Sequence, residues 1–375
     1  MRRLRRRRPA SRATKREVAQ RLSFVRPDIE RLSAYVPGEQ PRDGVYIKLN
    51  TNENPYPPSP VVLDAIRSQV GADLRLYPDP EASALRAKAG ELYGFPPEGV
   101  LVGNGSDDLL TIVMRACAGP GDRVAYPRPT YSLYETLVAI QGATAVEVPF
   151  PDDFRLPVDR LGLAGQDQVV TLVCNPNAPS GTLAPIDAIE ELARGVRGLL
   201  VVDEAYADFA SATALALARR HRNVVVLRTF SKSFSLCGLR VGLAFGHPDV
   251  IRSLAKVKDS YNVNKLGLVA AEAALHDYAW MEANVARVRS TRESLMQGLR
   301  KLGFLVLPSE ANFVLARSRG RDLRSLQQQL KEKRVLVRYF ETPELRDALR
   351  ITVGTKEQIE TLLSVLGEVA GQHLW

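Results

Sequence analysis

Lys232 stands between Ser231 and Ser233, and Arg240 follows in Gly238-Leu239-Arg240-Val241-Gly242. The apolar run Val224-Val225-Val226-Leu227 just upstream reads as a buried strand, so the lysine falls where a strand ends and a functional loop begins. A surface lysine stays protonated, with a pKa of ~10, whereas one enclosed in a dry cleft loses its proton and condenses with an aldehyde to a Schiff base. The arginine's planar fork suits a phosphate dianion. Pyridoxal phosphate carries both an aldehyde and a phosphate. Taken alone, the pair reads equally well as a solvated lysine and an arginine at a helix start.

Three further segments carry groups that such a cofactor needs. Leu199-Leu200-Val201-Val202-Asp203 is a buried-strand run closed by an acid, with Tyr206 three residues on. An aspartate at a strand's carboxyl end accepts a hydrogen bond from a protonated pyridine nitrogen and keeps that proton in place, and a nearby phenol donates to the ring oxygen. Val100-Leu101-Val102-Gly103-Asn104-Gly105-Ser106-Asp107-Asp108 reads as strand, glycine turn and helix start, where backbone N–H groups beside glycines form a ready phosphate cradle. Cys174-Asn175-Pro176-Asn177-Ala178-Pro179-Ser180-Gly181-Thr182 reads as a loop closing another strand, placing an amide beside the ring or forming an ordinary turn.

From about Leu32 to the C-terminus, these motifs resemble the fold-type I pyridoxal-phosphate aminotransferases. Within them the chain is similar to the histidinol-phosphate aminotransferase family, through Tyr35-Val36-Pro37-Gly38, Lys48-Leu49-Asn50-Thr51-Asn52-Glu53-Asn54-Pro55, Leu76-Tyr77-Pro78-Asp79, Pro129-Thr130-Tyr131 and Leu349-Arg350-Ile351-Thr352-Val353-Gly354-Thr355. The strings occur in the family's order, with the Lys232 and Asp203 motifs between them.

The resemblance implies a role for each matching residue. Lys232 bonds to the cofactor, Asp203 pairs with the pyridine nitrogen and Tyr206 meets the ring hydroxyl. Arg240, Ser231 and the Gly105-Ser106-Asp107 turn hold the cofactor phosphate, Thr229 adds a second hydroxyl, and Tyr131 stacks on the ring. Tyr77 is expected to reach the phosphate of a neighbouring subunit, making a homodimer with shared sites. Arg338 and Arg350 are expected to take the substrate's phosphate or the carboxylate of glutamate, with Tyr35 and Asn52 closing over the substrate. The chain departs from the family at Ala178, where an asparagine usually bonds the ring oxygen. Asn175 or Asn177 must then substitute, or Tyr206 acts alone.

Composition agrees with a large enzyme taking small-molecule amine and keto-acid substrates. A chain of 375 residues exceeds one typical domain. It shows no apolar run of membrane-spanning length and no signal-peptide core. Cys117, Cys174 and Cys237 are scattered, and no two of the four histidines share a metal-ligand spacing, which argues for the cytoplasm and against a disulfide framework or a metal site. The net charge of +9 is local: residues 1–16 hold nine of the 51 Lys and Arg and no acid, leaving 42 basic against 42 acidic side chains. A neutral body argues against nucleic acid as a partner, and the basic arm reads as a dispensable disordered extension.

The elements that must position these groups alternate strand and helix from Val100 to about Phe245, predicting an α/β fold with a mostly parallel, seven-stranded-type sheet flanked by helices. In such sheets, sites lie at the strands' carboxyl ends, where Asn175, Asp203 and Lys232 converge. The expected organisation is a basic arm at 1–16 and a segment at 17–59 packing on the small domain and the partner subunit. A large cofactor-binding domain at 60–265 and a smaller α+β domain at 266–375 follow. Transamination of histidinol phosphate leads the readings of activity. A broad aromatic aminotransferase, a threonine-phosphate decarboxylase-like enzyme and a non-catalytic pyridoxal-binding regulator remain as alternatives.

Overall fold

Val224, Val225, Val226 and Leu227 are all fully buried, which requires a strand covered by helices on both faces. The computed structural model describes residues 24–32 and 38–370, so Tyr35 and the basic arm lie outside the described residues. The buried strand belongs to a seven-stranded sheet built from β2 (Val100–Gly103), β3 (Arg123–Arg128), β4 (Thr144–Pro149), β5 (Val170–Cys174), β6 (Leu199–Asp203), β7 (Val224–Thr229) and β8 (Gly242–Gly246). Their order is β2-β8-β7-β6-β5-β3-β4, and β8 alone runs against its neighbours.

Amphipathic helices cover this sheet. Ser106–Cys117 turns Leu109, Leu110, Ile112, Val113 and Met114 inward, and Ile186–Gly195 does the same with Ile189, Leu192 and Ala193. Parallel pairing sets Cys174 beside Asp203, and Asp203 beside Leu227 on β7, so the chain's polar loops leave from one edge.

A second sheet combines β1 (Ile47–Leu49) with β9 (Leu305–Val306), β10 (Phe313–Arg317), β11 (Val335–Tyr339) and β12 (Ala348–Thr352), in the order β1-β11-β12-β10-β9. The N-terminal strand thus joins a sheet otherwise made by the C-terminal quarter, through parallel pairing of Ile47 to Leu49 with Val335 to Val337. The helix Lys265–His276 packs on the helices Pro60–Gln69 and Ser83–Tyr93, with the large sheet, although the sequence reading assigns nearly all of it to the C-terminal domain. The long helix Tyr278–Lys301 then leads to the small sheet. A small apolar cluster of Phe154, Leu307, Leu315, Leu345 and Ala348, with Phe150 and Phe340 against it, ties the loop after β4 to that sheet. Among the described residues, no helix is long and apolar enough to cross a membrane.

Candidate active site

The carboxyl ends of β5, β6 and β7 open into a cavity of about 930 Å³, measured out to its solvent mouth, that the small sheet closes from the other side. Lys232 lies three residues beyond the end of β7, half-buried with its amine enclosed and 5.8 Å from the centre of the Tyr206 ring. Burial, with the positive charge of Arg350 adding to it, lowers the amine's pKa to about 8. A minority, roughly a tenth at pH 7, is then neutral, far more than for an exposed lysine, and the neutral form is the one a nucleophile and proton carrier requires.

Asp203 closes β6 and is 2% exposed. The Tyr134 hydroxyl donates to one carboxylate oxygen at 2.9 Å and the Ala205 N–H to the other at 3.2 Å. Burial outweighs these bonds and pushes the carboxyl up to about 6. Such a group gains most from a cationic partner that restores its charge. Tyr134 escaped the sequence reading. Its position three residues after Tyr131, at the start of the helix Leu133–Ile140, was the available signal, and the two rings meet edge to face at 5.7 Å.

One end of the cavity is built for an anion. The Arg240 guanidinium donates to Ser231 Oγ at 3.1 Å and to Asp107 at 3.2 Å, and Thr229 Oγ1 donates to Ser231 Oγ at 3.0 Å. Gly105 caps the helix Ser106–Cys117 at φ +90°, where a Cβ would come within 2.7 Å of Arg240 Nη2, so only glycine lets the arginine approach the helix start. Asp107 contributes in a different way from its neighbours. Its carboxylate repels a phosphate but holds Arg240, and accepts from the Tyr131 hydroxyl at 3.1 Å, so only its backbone N–H suits an anion.

The Asn175 and Asn177 expectation does not match the geometry. Asn175 exchanges both ends of its amide with the Ala184 backbone, at 2.8 and 3.4 Å. Asn177 accepts from Thr130 and donates to Ser180 and the Pro129 carbonyl. Neither lines the cavity, because folding the Pro-rich loop consumes both amides, while Ala178 does line it. Tyr206 is therefore the donor left for a ring oxygen. Asn52 Nδ2 donates to the Tyr206 oxygen at 3.0 Å, which leaves the phenol's own proton free to point elsewhere. Asn52 itself, at φ +57°, is pinned by Thr352 through both its N–H and its Oδ1, and it lines the cavity beside Tyr206.

On the far wall, β11 and β12 set Arg338 directly opposite Arg350. Like charges in that register repel, so the arrangement favours an anion between them. Arg350 donates to the Asn50 carbonyl at 3.0 Å. Its guanidinium lies 5.2 Å from the Phe313 ring centre and 5.6 Å from that of Phe340, and Arg338 lies 5.5 Å from Phe340. Phe340, also missed from sequence, is a shared aromatic platform for both arginines. Tyr77 is remote from the cavity: it is 79% exposed and stacks on Tyr261 at 4.3 Å.

Comparison with known proteins agrees with this arrangement. Residues 45–366 match the family model for aminotransferase class I and II. The chain is 47% identical over 349 residues to histidinol-phosphate aminotransferase 1 of Nostoc sp., spanning 92% of this chain and 98% of that protein. It is also 47% identical over 346 residues to histidinol-phosphate aminotransferase of Syntrophotalea carbinolica, spanning 92% and 99%. A crystal structure of histidinol-phosphate aminotransferase from Sinorhizobium meliloti, in complex with pyridoxal-5'-phosphate, superposes with a TM-score of 0.86 at 27% identity, covering 94% of this chain and 99% of that one. A fold-type I architecture, a lysine and an aspartate at adjoining strand ends and relatives of this similarity over nearly their whole length place the chain in the class I and II aminotransferase family, among the histidinol-phosphate aminotransferases.

Proposed function

We propose that this protein transfers the amino group of histidinol phosphate to 2-oxoglutarate, yielding imidazole acetol phosphate and glutamate in histidine biosynthesis, with pyridoxal phosphate as its cofactor. The observation that carries the substrate reading is the Arg338–Arg350 pair, a second anion site across the cavity from the one at Arg240. One anion site serves a cofactor phosphate and the other a substrate phosphate or carboxylate.

The residues present fit the cofactor. Arg240, Ser231, Thr229 and the N–H groups at the Ser106 helix start would hold its phosphate, Asp203 its ring nitrogen and Tyr206 its ring oxygen, with Tyr131 stacking on the ring and Lys232 as its covalent anchor. When bound, pyridoxal phosphate supplies an aldehyde and an electron-withdrawing ring that stabilises negative charge beside the amine nitrogen. Asp203, ionised by its cationic partner, keeps the ring nitrogen protonated. The Lys232 amine, its pKa lowered to about 8 by burial and released when the substrate's amine displaces it, would take the proton from the substrate carbon and deliver it to the cofactor carbon on the other side of the amine nitrogen. Arg350 and Arg338 orient the substrate by its anionic end, and because a guanidinium fork accepts phosphate and carboxylate alike, one pair serves both half-reactions.

The active unit in this reading is a homodimer in the cytoplasm. Tyr77 supports it, standing out from the surface beside exposed Val70, Leu74 and Leu76, where a second copy would receive it. The test is a steady-state comparison of histidinol phosphate with phenylalanine as donor, with inorganic phosphate as competitor. Preference for histidinol phosphate and competition by phosphate are expected. Equal turnover of phenylalanine without phosphate competition would leave the broad aromatic aminotransferase in its place.

A further inference from the structure

The backbone that carries Lys232 is gripped from two sides by groups that do not line the cavity. From the N-terminal segment, Asn54 Nδ2 donates to the carbonyl of Lys232 at 3.1 Å and to that of Ser233 at 3.0 Å. Its Oδ1 accepts from the Tyr56 N–H at 3.1 Å, which fixes the amide's orientation. On the other side, the buried Ser233 hydroxyl donates to Asp208. Asp208 pairs with Arg228 at 3.0 Å, and Arg228 pairs with Glu204 at 3.2 Å and lies over the Tyr93 ring. Glu204 also accepts from Thr213 at 2.6 Å.

Each anchor sits beside a residue of the site. Glu204 follows Asp203, Arg228 precedes Thr229 and Ser233 follows Lys232. A buried network of three charges is a poor way to gain stability, since apolar side chains of similar volume do as well or better. It does fix relative position, because breaking any link leaves a buried polar or charged group with one partner fewer. A lysine chain has many rotamers, so where its amine reaches depends on where its backbone is held.

We infer that Asn54 and the Ser233–Asp208–Arg228 chain are positioning residues, which lock the Lys232 backbone against the end of β6 so that the amine is aimed at the reacting carbon. The inference rests on the aminotransferase reading, under which Lys232 acts on a substrate held by Asp203's cofactor and the Arg350 wall. The substrate's own contacts are left untouched by these residues. Loosening the grip should therefore slow chemistry while leaving substrate binding nearly as it was.

The experiment uses full-length Ser233→Ala and Asn54→Ala as holoenzymes. Expected is a fall in kcat of about tenfold or more for each, within the loss that a displacement of ~1 Å produces, with KM for histidinol phosphate and glutamate within about threefold of wild type. A second reading comes from the cofactor-free chains, in which acetic anhydride labelling of Lys232, mapped by mass spectrometry against exposed Lys301, should change by about threefold or more. If Asn54→Ala does not fold, Ser233→Ala decides, since it removes one hydroxyl and no backbone contact. Unchanged kcat and unchanged labelling in folded Ser233→Ala would overturn the inference, as would a KM increase that accounts for the whole loss. The two readings separate: labelling reports on the grip without cofactor, whereas a wild-type chain that takes up no pyridoxal phosphate overturns the proposed function.

Discussion

The two walls of the cavity solve opposite problems. At the strand ends of the large sheet, Asp203 and the Lys232 amine are shut away from water, and burial moves the carboxyl up to about 6 and the amine down to about 8. On the small-sheet wall, Arg338 and Arg350 carry charge that no protein environment removes, and aromatic rings hold it in place. Proton transfer needs groups whose charge can change, and burial tunes them. Recognition of an anion needs charge that stays, and geometry alone tunes that. A substitution on the first wall should therefore act on kcat, and one on the second on KM.

The largest test of that division is Lys232→Ala. Removing the anchor and proton carrier together should cut turnover by at least ~10³-fold, with the fold retained by circular dichroism. A variant keeping a tenth of wild-type rate would take Lys232 out of the mechanism. Asp203→Asn should lose roughly 10²-fold or more in kcat and bind the cofactor more weakly, because a neutral amide does not keep the ring nitrogen protonated. Near-normal kinetics would remove this role. Arg350→Ala should instead raise KM for histidinol phosphate by roughly 10- to 150-fold, the ~1.5–3 kcal/mol of a hydrogen bond to a charged group, and should impair glutamate as well. A loss confined to kcat would erase the contrast between the walls.

Smaller effects sharpen it. Phe340→Leu leaves both arginines in place without their shared ring, and KM for either anion should rise by about two- to fivefold, the scale of a cation–π contact. An unchanged KM would show the platform to be passive. The pH dependence of stability probes the first wall without substrate. Asp203 keeps its proton up to about 6 when folded, against an ordinary value of 3.8. The folded cofactor-free chain thus holds a proton that the unfolded chain releases, and this stabilisation, complete in acid, is lost as pH rises through about 6. Thermal melts from about pH 4 to pH 7 should show that decline in wild type and a flatter profile in Asp203→Asn.

The apolar runs ending in Asp203 and Thr229 are readable as strands because β-branched residues in unbroken series suit a sheet covered on both faces. The chemistry at their ends follows from residue type, so Lys232, Asp203, Tyr206 and Arg240 stand out before any coordinates. Asn175 and Asn177 show the limit of that reasoning. An amide in a loop serves either a ligand or the loop's own backbone, and the sequence carries no sign of which. Tyr134 and Phe340 failed for the converse reason, since each looks like an ordinary core aromatic until its partner across the fold is known. Arg228 and Glu204 likewise sit within the strand motifs, yet their pairing depends on register between β6 and β7.

By itself the sequence determined the fold class and singled out Lys232, Asp203 and Arg240 as the candidates for a reactive lysine, an acid beside a ring nitrogen and a phosphate-binding arginine, because these depend on local pattern and intrinsic side-chain chemistry. Tertiary structure alone decided which groups face the cavity and how strongly they titrate. It placed β1 in a sheet made by residues some three hundred positions away, set Arg338 against Arg350, and turned the amides of Asn175 and Asn177 into the loop. Burial, register and the orientation of a shared hydrogen bond are properties of several segments at once, and no one segment's sequence encodes them.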